Sequence, residues 1–326
     1  MLARTHRLAQ WLVLGTLVGA AAGVASAVFL WLLSSVTSYR DNHEIIIWGL
    51  PLAGIALGLI LQKWGGPVRG GNNLVIDTVH DESDRIPLSV APAVLGGTVL
   101  THLFGGSAGR EGAAVQMGAA LADEISHRLR VRKETRTQLL AAGIAGGFGS
   151  VFGTPVAGAV FGLEVVHLGR IEYTSLVPAL VASVVGDMTT RALGVEHVAY
   201  PQVAWLHMDA MLLLKWIVVG IVVAAVAVLF VESTHRLRAQ LELRVPALWL
   251  RMFFGGLAVV LGWQLLGTSD YLGLGLPFIS QSFVEQVPSY AWALKLAFTA
   301  VTLGSGFLGG EVTPLFFMGA ALGNAL

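Results

Sequence analysis

Six apolar runs, at residues 10–33, 45–62, 87–105, 211–231, 249–266 and 290–308, dominate this chain. Each approaches or exceeds the roughly 20 residues that carry a helix across a bilayer. Hydrocarbon offers no partner to backbone N–H and C=O groups, so such runs must satisfy themselves as helices. Shorter apolar pieces, interrupted by glycine, fill the stretch between 110 and 190. The composition agrees: only 12% of residues are charged, where a soluble domain averages about 25%. The expected fold class is an all-α polytopic membrane protein, a single transmembrane unit over residues 1–326.

Charge and chemistry exclude several functions. Twenty basic residues balance twenty acidic ones, and the sequence has no basic tail or aromatic-basic patch, which argues against nucleic acid as a partner. The absence of cysteine excludes disulfides, thiolate metal sites and cysteine nucleophiles. His102 and His167 have no His, Asp or Glu at metal-ligand spacing, so neither a metal nor another cofactor is expected and both read as satisfied core or interface histidines. The N-terminal run continues to about Val36. That exceeds the roughly 7–15 apolar residues of a signal peptide, so it reads as the first membrane helix.

Orientation follows from the basic residues. "SHRLRVRKETR" (126–136) and "STHRLRAQLELR" (233–244) read as cytoplasmic loops, with the N-terminus on the same side. The stretches 193–209 and 268–286 contain no lysine or arginine and should face outward. The expected location is the cell inner (plasma) membrane.

Laid against itself, the chain repeats. "GSAGREGAAVQMGAAL" (106–121) falls on "GFLGGEVTPLFFMGAAL" (306–322), sharing Met-Gly-Ala-Ala-Leu and pairing Gly109 with Gly310. Glu111 and Glu311 then stand one position apart. Two glycine-broken segments in corresponding halves suggest a transporter repeat with its site near the midplane. Coincidence between Gly/Ala-rich packing helices is the alternative.

The breaks hold the candidate chemistry. Glu111 follows Gly105, Gly106 and Gly109 and opens an apolar segment. A helix that starts after such a break presents N–H groups and partial positive charge, which suits an anion. A carboxylate there can fill the anion position itself and leave when protonated, or it simply caps the helix or pairs with Arg110. At the second break, Pro314 suits a first helical turn, with Glu311 and Thr313 flanking it; a plain cap is the other reading. A third break, "VRGGNNLVIDTVHDESDR" (68–85), offers Asn72 and Asn73 as amide donors, or as ordinary turn residues. Glu164 and Asp187 line a pathway or pair with a helix neighbour. Lys215 and Lys295 are expected to snorkel, and Phe316 and Phe317 to pack in the core or against lipid, with an ion-facing place for one of them as the alternative. An intramembrane hydrolase finds little support, since "GFGSVFG" around Ser150 lacks Gly-x-Ser-x-Gly spacing and Asp187 has no second membrane aspartate.

These residues resemble the CLC anion channels and transporters. "GSAGREGAAVQMGAAL" resembles the family's Gly-Arg/Lys-Glu-Gly signature, whose glutamate is the external gate, and "KLAFTAVTLGSGFLGGEVTPLFFMGAALG" (295–323) resembles its third signature. The resemblance runs from about residue 10 to the last residue and implies an inverted-repeat fold with broken helices meeting at a central anion site. Two departures are similar to the fluoride-exporting clade. Gly70-Gly71-Asn72-Asn73-Leu74 lacks the serine of Gly-Ser-Gly-Ile-Pro, and "GGEVTP" carries Glu311 and Thr313. Val165 stands where proton-coupled chloride exchangers have a second glutamate, a position the fluoride clade also lacks.

The resemblance thus implies a fluoride/proton antiporter, a homodimer in a lipid bilayer, and not an enzyme. Glu111 and Glu311 would serve as gate and proton-transfer residues. Asn72, Asn73, Gly109, Arg110, Gly112, Val312 and Thr313 would form the anion site. A chloride channel or chloride/proton exchanger of the same fold is the nearest alternative, and a non-transporting fragment is a remote one. Family members continue through further helices after the third signature, so the chain, ending at "GAALGNAL", is expected to be a piece of a longer protein.

Overall fold

A computed structural model of the chain describes residues 2–66, 68, 71–80, 85–165, 173–201 and 207–326. Among them lie the helices α1 (Leu2–Asn42), α2 (Leu50–Trp64), α3 (Asn72–His80), α4 (Val90–Leu103), α5 (Glu111–Arg128), α6 (Lys133–Phe152) and α7 (Pro155–Glu164). They are followed by α8 (Leu176–Ala192), α9 (Ala210–Arg244), α10 (Leu248–Leu266), α11 (Leu276–Gln281), α12 (Ala291–Gly304) and α13 (Val312–Ala325). Among the described residues four segments are long and apolar enough to cross a membrane: Leu8–Asn42, Glu44–Trp64, α9 and α10.

The apolar runs at 87–105 and 290–308 behave differently. Their helices, α4 and α12, have 14 residues each, too few for a full crossing at 1.5 Å per residue. Both stop at a glycine turn while the sequence remains apolar, as a broken helix does. The second basic segment also departs from expectation: 233–244 is no loop but the polar end of α9. Ion pairs one turn apart, Glu232–Arg236 at 2.9 Å and Arg238–Glu242 at 3.3 Å, favour the helix there. Of the first basic segment only 129–132 is non-helical, between α5 and α6.

The contacts divide the chain into two compact units, interleaved in sequence. The first comprises Met1–Val36, Lys63–Val99 and Arg110–His197; the second comprises Thr37–Gln62, Leu100–Gly109 and Val198–Leu326.

In the first unit, small residues let backbones touch. Gly118 of α5 packs against the Gly143 carbonyl of α6, and Gly147 packs against Ala114. A methyl group at Gly19 of α1 would stand 2.5 Å from the Ala182 carbonyl oxygen of α8. Lipid supplies little hydrophobic drive between helices, so close approach of this kind supplies the dispersion energy that holds them. Leu14, Val18, Ala122, Leu139, Ala142 and Ala182 form the core of this unit.

In the second unit α9, α12 and α13 pack through Val226, Phe230, Leu296, Met318 and Leu322. An aromatic group sits beside them, with Phe317 stacked on Phe278 at 4.3 Å and edge-on to Tyr271 at 6.2 Å between ring centres. Phe316, next in sequence to Phe317, is 49% exposed, as a lipid-facing residue would be.

Lys295 corrects an expectation. It does not snorkel: the residue is fully buried, and its ammonium donates to the carbonyls of Tyr271 at 3.2 Å and Gly273 at 2.7 Å. It also lies 5.1 Å from the centre of the Phe317 ring. Lys295 stands near the start of α12, one position where its stem faces the aromatic group instead of the rim. Lys215, in contrast, is exposed on α9.

Candidate functional site

The two glycine breaks share one backbone design, offset by the spacing that pairs Gly109 with Gly310. After α4, Gly105 takes φ +84°, and Gly106 N–H bonds back to Thr101 C=O at 2.8 Å. After α12, Gly306 takes φ +106°, and Phe307 N–H bonds back to Thr302 C=O at 3.3 Å. These are left-handed helix ends of the type that glycine adopts without strain. The chain then runs on to a second helix whose cap residue is Arg110 (φ −117°, ψ −13°) in one case and Glu311 (φ −107°, ψ −21°) in the other. The sequence repeat is therefore a structural one.

Within the second unit the two breaks are joined. Gly109 and Gly310 exchange both backbone hydrogen bonds, at 2.6 and 2.8 Å, as an antiparallel bridge. Around it lies a buried polar group that sequence reasoning missed. The Ser107 hydroxyl lies 2.9 Å from the Thr299 hydroxyl, and Ser107 N–H donates to Thr302 Oγ1 at 3.1 Å. Thr299 and Thr302, three apart on α12, share a helical face; that spacing, just before the glycine break, was the available signal. His102 is fully buried and its Nε2 pairs with Ala108 C=O at 3.0 Å, so it is the satisfied core histidine expected. His167 lies outside the described residues.

Glu311 is the cap residue of α13, and it is exposed, with no side-chain cap bond. It faces the charges of His235 and Arg238 on α9. Val312 is half-buried and Thr313 is 1% exposed. The first three N–H positions of a helix have no acceptor within it, and Pro314, which has no N–H, occupies the third of α13.

In the first unit, Arg110 caps α5 and Glu111 is its first residue. Glu111 is only 2% exposed, and Gly112 beside it is buried. The Glu111 carboxylate turns back on its own helix end: Oε2 accepts the Arg110 backbone N–H at 3.0 Å. A negative group at a positive helix end is favourable, and the same geometry marks a place an anion can take. Asn72 and Asn73 open α3, which packs against α5. Asn73 is exposed, and the Asn72 side chain lies outside the described residues, as does Gly70. Glu164 is exposed at the end of α7.

Two clusters in this unit had no clear signature in the sequence. Fully buried Asp123 accepts from Arg136 Nε at 2.6 Å and from Ile86 N–H at 2.8 Å. Asp187 accepts from Arg191 Nε at 3.0 Å on both oxygens and faces His197 at 3.3 Å. Of the two readings open for Asp187, pairing with a helix neighbour is the one observed. Among the described residues no group of His, Cys, Asp and Glu is arranged to hold a metal.

Broken membrane helices, each starting after glycines and each carrying donors toward a break, define the class of protein: a polytopic membrane transporter or channel with a repeated, glycine-broken core. The family model described as voltage gated chloride channel matches residues 53–326, and the chain belongs to that family, the CLC proteins. It is 47% identical to a chloride/fluoride channel protein of Pseudomonas syringae pv. tomato, over 98% of this chain and 72% of that protein. Its fold matches the crystal structure of a CLC-type fluoride/proton antiporter with a TM-score of 0.93 and 37% identity, covering 97% of this chain and 80% of the other. A slow cyanobacterial Cl−/H+ antiporter matches at TM-score 0.79 and 18% identity, over 93% and 76% of the two chains, a likeness of fold alone.

Proposed function

We propose that this protein exports fluoride across the cell membrane in exchange for protons, and that Glu111 is the gate. The observation that carries the reading is the buried Glu111 carboxylate seated on the Arg110 N–H at a glycine-broken helix start. A carboxylate in that seat and an anion in that seat exclude each other. Protonation removes the charge that holds Glu111 there and frees the donors, so proton uptake and anion occupancy become alternatives at one place. The relatives named for fluoride support the choice of anion. So does the donor chemistry: fluoride is a compact acceptor, and N–H and hydroxyl donors of the kind found at Val312 and Thr313 suit it.

In this reading residues 1–326 act as one transmembrane domain of a homodimer in the cell inner membrane, with the N-terminus cytoplasmic and the basic segments 126–136 and 233–244 on the same side. Asn72, Asn73, Gly109, Arg110, Gly112, Val312 and Thr313 contribute to anion binding, and Glu311 aids proton transfer near the basic end of α9. The activity is transport, not enzymatic turnover.

The test uses purified protein in fluoride-loaded liposomes, with a fluoride electrode and a pH electrode in the bath. Wild type should release fluoride while taking up protons. Glu111→Gln should abolish the proton flux; coupled exchange at the wild-type rate in that variant would refute the gate. Chloride at equal concentration should fail to compete, and a preference for chloride would establish the chloride alternative.

A further inference from the structure

The end of the first unit that carries the start of α5 also gathers a charged cluster that the gate itself does not contain. α5 and α6 form a hairpin, so the end of α6 lies beside the start of α5. There Gly153 closes α6 with φ +71°, and its missing side chain leaves the surface on which the His197 ring packs. Only glycine both adopts that backbone readily and leaves that room. The His197 side chain is 8% exposed, and its Nε2 lies 3.3 Å from Asp187 Oδ1. Arg191, one turn after Asp187 on α8, spans the group, giving Nε to both Asp187 oxygens and Nη2 to the Gly153 carbonyl at 3.3 Å. Arg110, next to Glu111, adds its charge from the start of α5.

His197 thus faces one carboxylate, Asp187, and two guanidinium groups, Arg191 and Arg110. Glu196, its neighbour in sequence, is exposed, and α6 and α7 present Gly153, Thr154 and Pro155, none of them titratable. Burial first, and then the Arg191 and Arg110 charges, hold the imidazole below its ordinary range against the opposing pull of Asp187. It is neutral near pH 7 and gains its proton at a lower pH than an ordinary imidazole does.

We propose that His197 is a pH-sensitive positioning residue that opposes protonation of Glu111 when its side of the membrane acidifies. The inference rests on the reading of Glu111 as the gate and deepens it by naming how the gate is regulated. Once protonated, His197 adds a positive charge to the cluster that contains Arg110, whose backbone N–H holds the Glu111 carboxylate. Positive charge there favours the ionised, seated form of Glu111. The two protonations oppose each other, so proton delivery through Glu111 levels off instead of following the external proton concentration.

The experiment measures fluoride efflux from liposomes against external pH for wild type, His197→Gln and Asp187→Asn, with an NMR titration of the His197 imidazole. The wild-type rate should rise on acidification and then flatten. His197→Gln should keep rising and exceed wild type by about threefold at the acid end, the effect of one charge at moderate range. Asp187→Asn removes the carboxylate that favours the imidazolium and should move the flattening to lower pH. Arg110→Gln should raise the pH at which His197 titrates. A His197→Gln profile that superimposes on wild type, in protein whose Glu111→Gln variant is uncoupled, overturns the inference and leaves the gate standing. An imidazole that titrates as in a free peptide overturns it as well. Wild type without fluoride transport overturns both.

Discussion

Asp123 offers the sharpest quantitative test of what holds α5 in place. Its side chain has no exposed surface, and it takes hydrogen bonds from Arg136 Nε at 2.6 Å, Arg136 Nη2 at 3.2 Å and Ile86 N–H at 2.8 Å. Three segments therefore meet on one carboxylate: the end of α5, the first turn of α6 and the segment before α4. Arg136 is itself only 11% exposed, so water cannot replace a lost partner. In Asp123→Ala the Ile86 N–H loses its acceptor and the Arg136 guanidinium loses the buried carboxylate it faces. Removing one member of a buried ion pair costs about 3–5 kcal/mol, and the orphaned N–H is part of that figure instead of an addition to it.

At about 4 kcal/mol, and with each kcal/mol worth about 2–4 °C in a domain of this size, Asp123→Ala should melt roughly 8–16 °C below wild type. The assay is thermal loss of the folded peak of detergent-solubilised protein on size-exclusion chromatography. The informative control removes both charges. Asp123→Leu with Arg136→Met removes both charges, leaves the Ile86 N–H without this acceptor, and should cost less than about 2 kcal/mol, since apolar replacement of a buried pair is often neutral. If Asp123→Ala melts within 2 °C of wild type, on the order of measurement error, the buried-charge argument fails. A double variant that melts no higher than Asp123→Ala refutes it from the other side.

Other outcomes follow from the same packing. Gly19→Ala brings a methyl group 2.5 Å from the Ala182 carbonyl oxygen and should cost on the order of 2 kcal/mol by overpacking, whereas Gly220→Ala on α9 meets nothing within 4 Å and should leave the melting temperature unchanged or slightly raised; equal effects would refute the close-approach account. Lys295→Ala strands the Tyr271 and Gly273 carbonyls and opens a void beside Phe317, so it should cost about 3 kcal/mol, read in the same melt. His197 sets a pH dependence of stability. Its folded-state affinity for a proton is lowered, chiefly by burial, so on acidification below about pH 6.5 the unfolded chain binds the proton first and stability falls until His197 itself titrates. His197→Gln should lose less melting temperature than wild type between pH 7 and pH 5.

How much of this was legible in the sequence depends on whether a feature is local. The glycine breaks were, although the second lies earlier than expected: α12 ends at Gly304 and turns at Gly306, not at Gly309 and Gly310, while a carboxylate inside an apolar stretch announces its own cost. The pairing of Gly109 with Gly310 was visible as a repeat, and the single-residue offset of the two glutamates survives in the structure as the difference between a cap position and a first helical position. Features made by partners distant in sequence were not legible. Lys295 read as a rim lysine because nothing near it in sequence shows that the carbonyls of Tyr271 and Gly273 turn toward it. Arg136 read only as part of the basic segment 126–136, and Asp123 drew no reading at all, for the same reason. The helical end of α9 was missed because a basic cluster suggests a loop, whereas its acidic residues stand one turn from arginines.

That single-residue offset gives the two breaks different chemistry on one backbone. At α5 the first helical residue is Glu111, and its carboxylate reaches back to the N–H of the cap residue. At α13 the same position holds Val312, which has no group to place there, while the carboxylate of Glu311 sits at the cap position and is exposed. One helix start thus carries its own anion and the other does not. The second start also loses a backbone donor to Pro314. A protein that must exchange an anion against a proton needs this inequality. If both starts carried a fixed carboxylate, no donors would remain for a mobile ion; if neither did, an anion could reside there without any group to register a proton. If Glu111 is the gate proposed above, the divergence of the repeat at this position, glutamate at 111 against valine at 312, is what an exchange of anion for proton calls for.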